Sequence, residues 1–380
     1  MNILVIAHYG LQPKLSASFV YAQAKAYAEL GHKVRMIIPI PFGKEYKGHY
    51  FLPKMHYHTE ENIELYYIRH LSISNYGRKW FNSFSAQMAL QPYLKMLFHE
   101  FTPDIIHSHT LGFDCDLGVW LKEKLNCPLV VTAHGTDVFR PFNQGEKLLL
   151  KQNASQADKI VCVSNLLKNT LIKCSVPERD LHTILNGFQI QNAADIQNKR
   201  PYSIIQSGYL VPRKKADITI RALKLLSERY PDITMDIVGS GSEMERFQAL
   251  AAELNLSDSI SFHGFLPNAD NLDLMAKSKF FVMPSINEGF GIVYLEAMAN
   301  GCITIGTEGE GIADLIVHGK NGFLVPPDDP EAIVNVIDWC IAHPEEAAAI
   351  AECGRRDALA LTWEKNACEC IALFQELINV

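Results

Sequence analysis

"NILVIAH" (Asn2–His8) and "SFVYAQAKAYAELGHKVRMIIPI" (Ser18–Ile40) together decide the fold. The first is a short, unbroken apolar run rich in β-branched residues, the mark of a parallel strand buried on both faces. In the second, Phe19, Val20, Ala24, Tyr27 and Leu30 recur at helical spacing, and Gly31 follows as a C-terminal stop. "VRMIIPI" (Val34–Ile40) then predicts a second buried strand. Strand, helix, glycine stop, strand is a βαβ unit. "DIIHSHT" (Asp104–Thr110), "PLVVTAHG" (Pro128–Gly135) and "KIVCVS" (Lys159–Ser164) repeat the theme, which predicts a doubly wound α/β domain.

Near Leu185 the rhythm changes. "NGFQIQNAADIQNKRP" (Asn186–Pro201) is polar, rich in asparagine and closed by proline, which suits a hinge between domains. A second α/β series follows: strands in "YSIIQSG", "ITMDIVGSGS", "SISFHGFL", "FFVMPS", "CITIG" and "GFLVP", with helices such as "ADITIRALKLLSERYP" and "EMERFQALAAELNL" between them. The expected organisation is a domain over 1–188, a second over 199–362, and a last helix over about 363–380 packing back on the first. Two Rossmann-like halves facing across a cleft would hold one ligand beyond their strand ends.

A chain of 380 residues suits two domains, and 48% hydrophobic with 20% charged residues is ordinary globular composition. Net charge is −7 with no long basic block, which argues against a nucleic-acid binder. Nine scattered cysteines without a CxxC pair favour reduced thiols over disulfides or a zinc site. The apolar run Ile3–Ala7 is too short for a signal-peptide core, and no window approaches the roughly 18 residues of a spanning helix. The expectation is a cytoplasmic protein.

Chemistry should lie at the strand ends of the second half. "SGYLVPRKK" (Ser207–Lys215) puts Gly208 at one end, followed by Arg213, Lys214 and Lys215. Three cations opening a helix repel its positive end unless an anion, phosphate above all, lies between them; a solvated loop with outward lysines is the plain alternative. "VGSGS" places Gly239 and Gly241 at another strand end, and "FHGF" places His263 and Gly264 at a third. A GxG turn also serves any tight strand-to-helix connection, and a single histidine also serves packing.

"NEGFGIVYLEAMANG" (Asn287–Gly301) follows the strand "FFVMPS". Gly289 and Gly291 remove side chains where backbone amides of Phe290, Gly291 and Ile292 would approach a phosphate or sugar hydroxyl. Glu288 precedes the short helix Ile292–Ala299 and Glu296 lies on its second turn. A carboxylate accepts two hydrogen bonds, which matches vicinal ribose or pyranose hydroxyls. An acidic cap at Glu288 and an exposed helix residue at Glu296 are the structural alternatives.

These residues resemble the retaining glycosyltransferases of family 4, which have the GT-B fold. The hallmark is Glu, seven residues, Glu, as in "EGFGIVYLEAMANG", behind Met283, Pro284 and Ser285. The resemblance runs on through "GIADLIVHGKNGFLVPPDDPEAI" (Gly311–Ile333) and back through "VGSGSEMERF". In the first half it covers "ELGHKV", "DIIHSHT", "TAHGTD", "CVS" and "ILNGF", so it spans nearly the whole chain. The glycine-bearing loop after the first strand is most like that of members acting on cell-surface polysaccharides.

The resemblance implies a nucleotide-diphosphate sugar donor, UDP-sugar favoured, held mainly by the second half. Glu296 would take the ribose hydroxyls and Glu288 the donor sugar's hydroxyls. Lys214, with Arg213 beside it, would neutralise the leaving diphosphate, and His134 in "TAHGTD" would lie beside sugar and acceptor. Gly208, Gly239, Gly241, His263, Gly289, Phe290, Gly291 and Ile292 would complete the donor site. Family members use basic side chains where others use a divalent ion, so no metal and no separate cofactor is expected. The acceptor would be a saccharide or lipid-linked. One position departs: the family usually has arginine directly after the glycine of "SGYL", and here Tyr209 stands there. Arg213 is the expected substitute. A catalytically silent sugar-nucleotide binder and an epimerase of the same fold are the competing readings. A nicotinamide dehydrogenase is disfavoured, since "AHYGLQP" rather than GxGxxG follows the first strand. "NYGRKWFNSFSAQMALQPYLKMLFHEF" mixes Arg78, Lys79 and Lys95 with aromatic and apolar residues. It suits either a peripheral contact on the inner face of the cell membrane or a helical core with surface charges.

Overall fold

Apolar runs lacking polar alternation form the centres of two mostly parallel sheets. The computed structural model describes residues 1–8, 18–42, 55–72, 79–139, 144–188 and 199–378. The central part of the hinge stretch, the glycine-bearing loop after the first strand, and Arg78 lie outside the described residues.

The first unit comprises Met1–Gly187 together with Thr362–Val380. Its elements run β1 (Asn2–Ile6), α1 (Ser18–Glu29), β2 (Lys33–Phe42), β3 (Met55–Glu60), β4 (Ile63–Leu71), α2 (Lys79–Leu90), α3 (Leu94–Phe98), β5 (Ile105–His109), α4 (Phe113–Leu125), β6 (Leu129–Ala133), α5 (Gln144–Gln156), β7 (Lys159–Cys162), α6 (Asn165–Lys173) and β8 (Leu181–Thr183). The strand order is β3-β4-β2-β1-β5-β6-β7-β8. Every pairing is parallel except β3 with β4. That hairpin is absent from the sequence reading. Its turn is Glu61-Asn62, both at positive φ (48° and 65°), a left-handed pair without the glycine that usually announces it. The strand order reverses between β1 and β5, which sets a crevice beyond their carboxyl ends.

The second unit comprises Phe188–Leu361. It runs β9 (Arg200–Ser207), α7 (Ala216–Ser227), β10 (Thr234–Val238), α8 (Met244–Glu253), β11 (Ile260–Gly264), α9 (Asn268–Lys277), β12 (Ser278–Val282), α10 (Ile292–Ala299), β13 (Ile303–Thr307), β14 (Phe323–Val325), α11 (Pro330–Ala342) and α12 (Pro344–Leu359). The order β11-β10-β9-β12-β13-β14 is parallel throughout and reverses between β9 and β12. Ile204, Met235, Ile237, Phe280, Val282, Ile303 and Ile305 fill its core against Leu223, Phe247 and Ile337.

The last helix, α13 (Trp363–Ile378), belongs to the first unit. Gln23 of α1 donates to the Asn366 side chain (2.5 Å), and Asn366 donates in turn to the carbonyl of Leu185 (2.8 Å). Phe374, fully buried, packs on Tyr27 of α1. Among the described residues no helix is long and apolar enough to cross a membrane.

Candidate active site

In the second unit, the loop after β9 carries cations and the loop after β12 carries the first glutamate. The switch point between those two strands brings them together. Val211 is extended, Pro212–Lys214 make one tight turn, and Lys215 takes a left-handed conformation (φ 51°) that starts α7. Arg213 is tied down through its own carbonyl, which accepts from Ile286 N (2.9 Å). Lys214 is tied through its carbonyl to the Gln206 amide (2.8 Å).

Both cations then meet one carboxylate oxygen. Arg213 Nη1 lies 2.5 Å and Lys214 Nζ 2.6 Å from Glu288 Oε2. The outward-lysine alternative is overturned at Lys214, which is 7% exposed, and the capping alternative is overturned at Glu288, which is 9% exposed. Burial alone would push Glu288 up; Lys214 and Arg213 outweigh it and hold the carboxyl below its ordinary value. Burial lowers Lys214, with Glu288 opposing and Arg213 adding to the fall. Lys215 pairs instead with Asp328 (2.6 Å).

Glu288 is placed by its backbone. Its N–H donates to Glu310 Oε2 (2.8 Å), and its carbonyl accepts from Gly311 N (3.2 Å). Glu310, whose carboxyl burial pushes up, is a positioning residue absent from the sequence reading. Nothing local announces it, because it reaches Glu288 only through the adjacency of β12 and β13. Gly291 sits at φ 78°, and a Cβ there would meet the Tyr294 ring at 2.8 Å. Tyr294 is itself fixed to the carbonyl of Met283 (2.6 Å), so the turn Gly289–Ile292 closes onto the end of β12. Phe290 is buried, whereas Ile292, first residue of α10, is half-buried.

Glu296 differs from Glu288. It is half-buried on α10, and its carboxyl is pushed up to about 7 by burial alone, with no cation to oppose it. Hydrogen-bond donors such as vicinal hydroxyls would draw it back to the charged form.

Gly208 lies beside the Lys214 stem: a Cβ there would stand 3.8 Å from the lysine Cε. Gly239 and Gly241 are explained by backbone: a Cβ at Gly239 would stand 1.9 Å from the carbonyl oxygen of Gly208, and one at Gly241 2.2 Å from that of Leu210. His263 Nε2 is engaged with Asp236 Oδ1 (2.7 Å), and Asp236 also takes Arg200. His263 is therefore held by a partner that lies mid-strand and does not stand out in the sequence.

In the first unit His134 follows β6. Asp137 accepts from the backbone N–H of His134 (3.1 Å), Gly135 (2.9 Å) and, from the loop after β5, Leu111 (2.9 Å). One carboxylate thus ties two strand ends together. The ring of His134 lies edge to edge with that of His109 of β5 and nearly in its plane. His107, two residues earlier and on the same sheet face, sits beneath, between the Tyr27 hydroxyl (3.2 Å) and Thr132 Oγ1 (2.7 Å). Alternation in "HSH" is the signal that would have placed both rings on one face. Among the described residues no group of three or more His, Cys, Asp or Glu could hold a metal ion.

A parallel sheet whose switch point carries two cations and a buried carboxylate is an α/β arrangement suited to an anionic ligand. Residues 16–192 match the model of the family described as Glycosyltransferase Family 4, and residues 189–357 match that of the glycosyl transferases group 1. An uncharacterized glycosyltransferase of Methanocaldococcus jannaschii is 30% identical over 276 residues, covering 72% of this chain and 76% of that protein. The GDP-mannose-dependent α-(1-6)-phosphatidylinositol monomannoside mannosyltransferase of Mycolicibacterium smegmatis is 28% identical over 61% of this chain and 65% of its own length. Among solved structures, Anabaena HepE in complex with UDP superposes with a TM-score of 0.77 at 22% identity, covering 99% of this chain and 100% of HepE. Sucrose-phosphate synthase of Thermosynechococcus elongatus does so at 0.79 and 22%, covering 99% of each chain. The chain belongs to the family 4 glycosyltransferases and has their GT-B fold of two Rossmann-like domains. It is a glycosyltransferase working from a nucleotide-diphosphate sugar.

Proposed function

We propose that the second unit binds a UDP-sugar and that the sugar passes, with retention of configuration, to an acceptor hydroxyl held by the first unit. The observation that carries this reading is the convergence of Arg213 and Lys214 on Glu288 at the switch point. Breaking the anomeric C–O bond builds negative charge on the diphosphate, and preplaced cations are the principal means of stabilising it. Arg213 and Lys214 supply that charge, so the proposal asks for no divalent ion. Both cations sit on Glu288 Oε2, which leaves Oε1 to accept from the sugar's hydroxyls. Glu296 receives the ribose hydroxyls, and amides of Phe290, Gly291 and Ile292 face the sugar and diphosphate. His134 contacts sugar and acceptor. Retention is assigned to front-face attack by the acceptor hydroxyl. The choice of uridine is supported by the UDP complex of HepE, which shares the fold.

Tyr209 stands where the family usually has arginine, and its ring is 75% exposed. Arg213 already reaches the Glu288 carboxylate, so it is the residue placed to substitute. Transfer and donor hydrolysis are to be measured with UDP-, GDP- and ADP-sugars. Arg213→Ala is expected to cut turnover of the UDP-sugar at least tenfold, in keeping with loss of a charge-assisted bond worth about 1.5–3 kcal/mol. Tyr209→Phe is expected to leave turnover within about twofold, since it removes at most one exposed neutral hydrogen bond. The reverse pattern rejects Arg213, and no turnover of any donor by the unaltered chain favours a silent member.

We further propose a cytoplasmic enzyme of cell-surface polysaccharide or glycolipid synthesis with a lipid-linked acceptor met at the membrane surface. Phe84 and Met88, four residues apart on one face of α2, are 53% and 56% exposed, and Met96 on α3 is 52% exposed beside the exposed Lys95. Wild-type protein should pellet with anionic liposomes, and Phe84→Ser with Met88→Ser should release it. A wild-type protein that stays in the supernatant removes the membrane from the proposal.

A further inference from the structure

Two imidazoles in the first unit share a single hydrogen bond. His109 Nδ1 and His134 Nε2 are 3.0 Å apart, and the two rings lie edge to edge and nearly coplanar, with centroids 5.3 Å apart and 15° between planes. Burial holds both rings neutral at physiological pH: His109 is pulled well below its ordinary value and His134 to about 4. Between two neutral imidazoles one nitrogen must bring the proton and the other the lone pair. Fixing one ring's tautomer therefore fixes the other's.

The second nitrogen of His109 decides which. His109 is 2% exposed, and its Nε2 is buried with no hydrogen-bond partner. If the proton of His109 sat on Nε2, that N–H would be buried without an acceptor. If it sits on Nδ1, it donates to His134 Nε2, and only an unshared lone pair is left in the apolar interior. Folded proteins leave buried donors unpaired more rarely than acceptors. The second arrangement holds. His109 has little freedom to escape it, because its ring also packs against His107, with centroids 4.5 Å apart. His107 is itself pinned by Tyr27 and Thr132, and Tyr27 by Phe374 of the last helix.

We propose that His109 is a positioning residue that locks His134 with its proton on Nδ1, making His134 a fixed hydrogen-bond donor to a sugar hydroxyl oxygen. The lone pair of His134 Nε2 is spent on His109, so neither ring nitrogen of His134 is free to accept a proton from the attacking hydroxyl. This separates two roles a histidine beside the sugar could play: His134 orients the ligand and is not the general base. The inference deepens the transferase reading and rests on it for the placing of His134 beside the sugar, while the tautomer itself does not depend on it.

The test is nitrogen NMR of protein labelled at histidine, with His134 assigned by its disappearance in His134→Asn. At pH 7 the unaltered protein should show a protonated Nδ1 and an unprotonated Nε2 at His134. His109→Asn keeps an amide N–H in the place of Nδ1–H and should keep that signature. His109→Leu removes the donor; His134 should then populate both tautomers, and kcat should fall about ten- to a hundredfold with donor KM changed less. A proton found on His134 Nε2 in the unaltered protein overturns the proposal. So does a His109→Leu protein whose tautomer and kcat are both unmoved. If the tautomer is as stated and His134→Asn transfers sugar at the normal rate, the assignment of His134 to the sugar fails while the lock stands.

Discussion

Lys214→Met is expected to lower kcat by about 10²–10³-fold, the usual cost of losing one preplaced charge-stabilising donor. Methionine keeps an unbranched stem across Gly208 and against Met283, so packing around Nζ is largely retained. What goes is the charge. Because the diphosphate gains negative charge only as the anomeric bond breaks, the loss should fall on kcat and on kcat/KM alike. Glu288 would keep Arg213 as its sole cation, and the burial that already pushes its carboxyl up would be less opposed. Donor binding with and without Mg²⁺, followed by isothermal titration, and single-turnover transfer together check this. A variant that binds UDP-sugar poorly but transfers it at the normal rate would place Lys214 in ground-state binding rather than in leaving-group stabilisation.

Gly239→Ala is the substitution expected to damage the second unit most. Gly239 has φ 130°, a conformation L side chains rarely adopt, and the atom its Cβ would strike at 1.9 Å is a backbone carbonyl oxygen that cannot swing away. Gly208 N donates to the carbonyl of Val238, and Gly239 N donates to that of Gly264, so the ends of β9, β10 and β11 are bonded together at this point. To admit a methyl group they must part. The cost is placed at about 3–5 kcal/mol, in the range reserved for backbone strain and overpacking. For a unit of this size that is a fall of about 10 °C in melting temperature. Gly309→Ala is the control: φ is 73°, but its Cβ meets nothing within 4 Å, so only the conformational term of about 1 kcal/mol remains. Equal melting shifts for the two variants would show that the crossing of Gly208 and Gly239 is not the constraint.

The parts of this molecule legible in its sequence share a physical cause. A parallel strand covered on both faces is apolar over most of its length, so β1, the middle of β2 (Met36–Ile40), β7 and β12 stand out by short unbroken runs, and β5, β6, β9, β10 and β14 by two or three adjacent apolar residues. The hairpin β3–β4 does not. Its residues alternate among tyrosine, histidine and aliphatic types, and Glu61-Asn62 turns the chain without glycine. Spacing alone left Lys214 either solvated or buried, because its burial depends on Glu288, 74 residues away. Glu310, Asp137 and Asp236 act through backbone or across neighbouring strands, and no local pattern marks such contacts. Gly239 and Gly241 were legible as a tight turn or as part of the donor site; what a Cβ at either would strike is the chain's own backbone at Gly208 and Leu210.

The return of the last helix to the first unit has a consequence for biosynthesis. Phe188–Leu361 is one continuous segment, inserted between two parts of the other unit, and its ends meet where Phe188 N donates to the carbonyl of Leu361 (3.0 Å). Residues emerge from the ribosome in order, and domains fold as units when their last element appears. The second unit therefore has all of its residues before the first unit does. The earlier half waits, with the faces of Gln23 and Tyr27 uncovered, until Asn366 and Phe374 have been made.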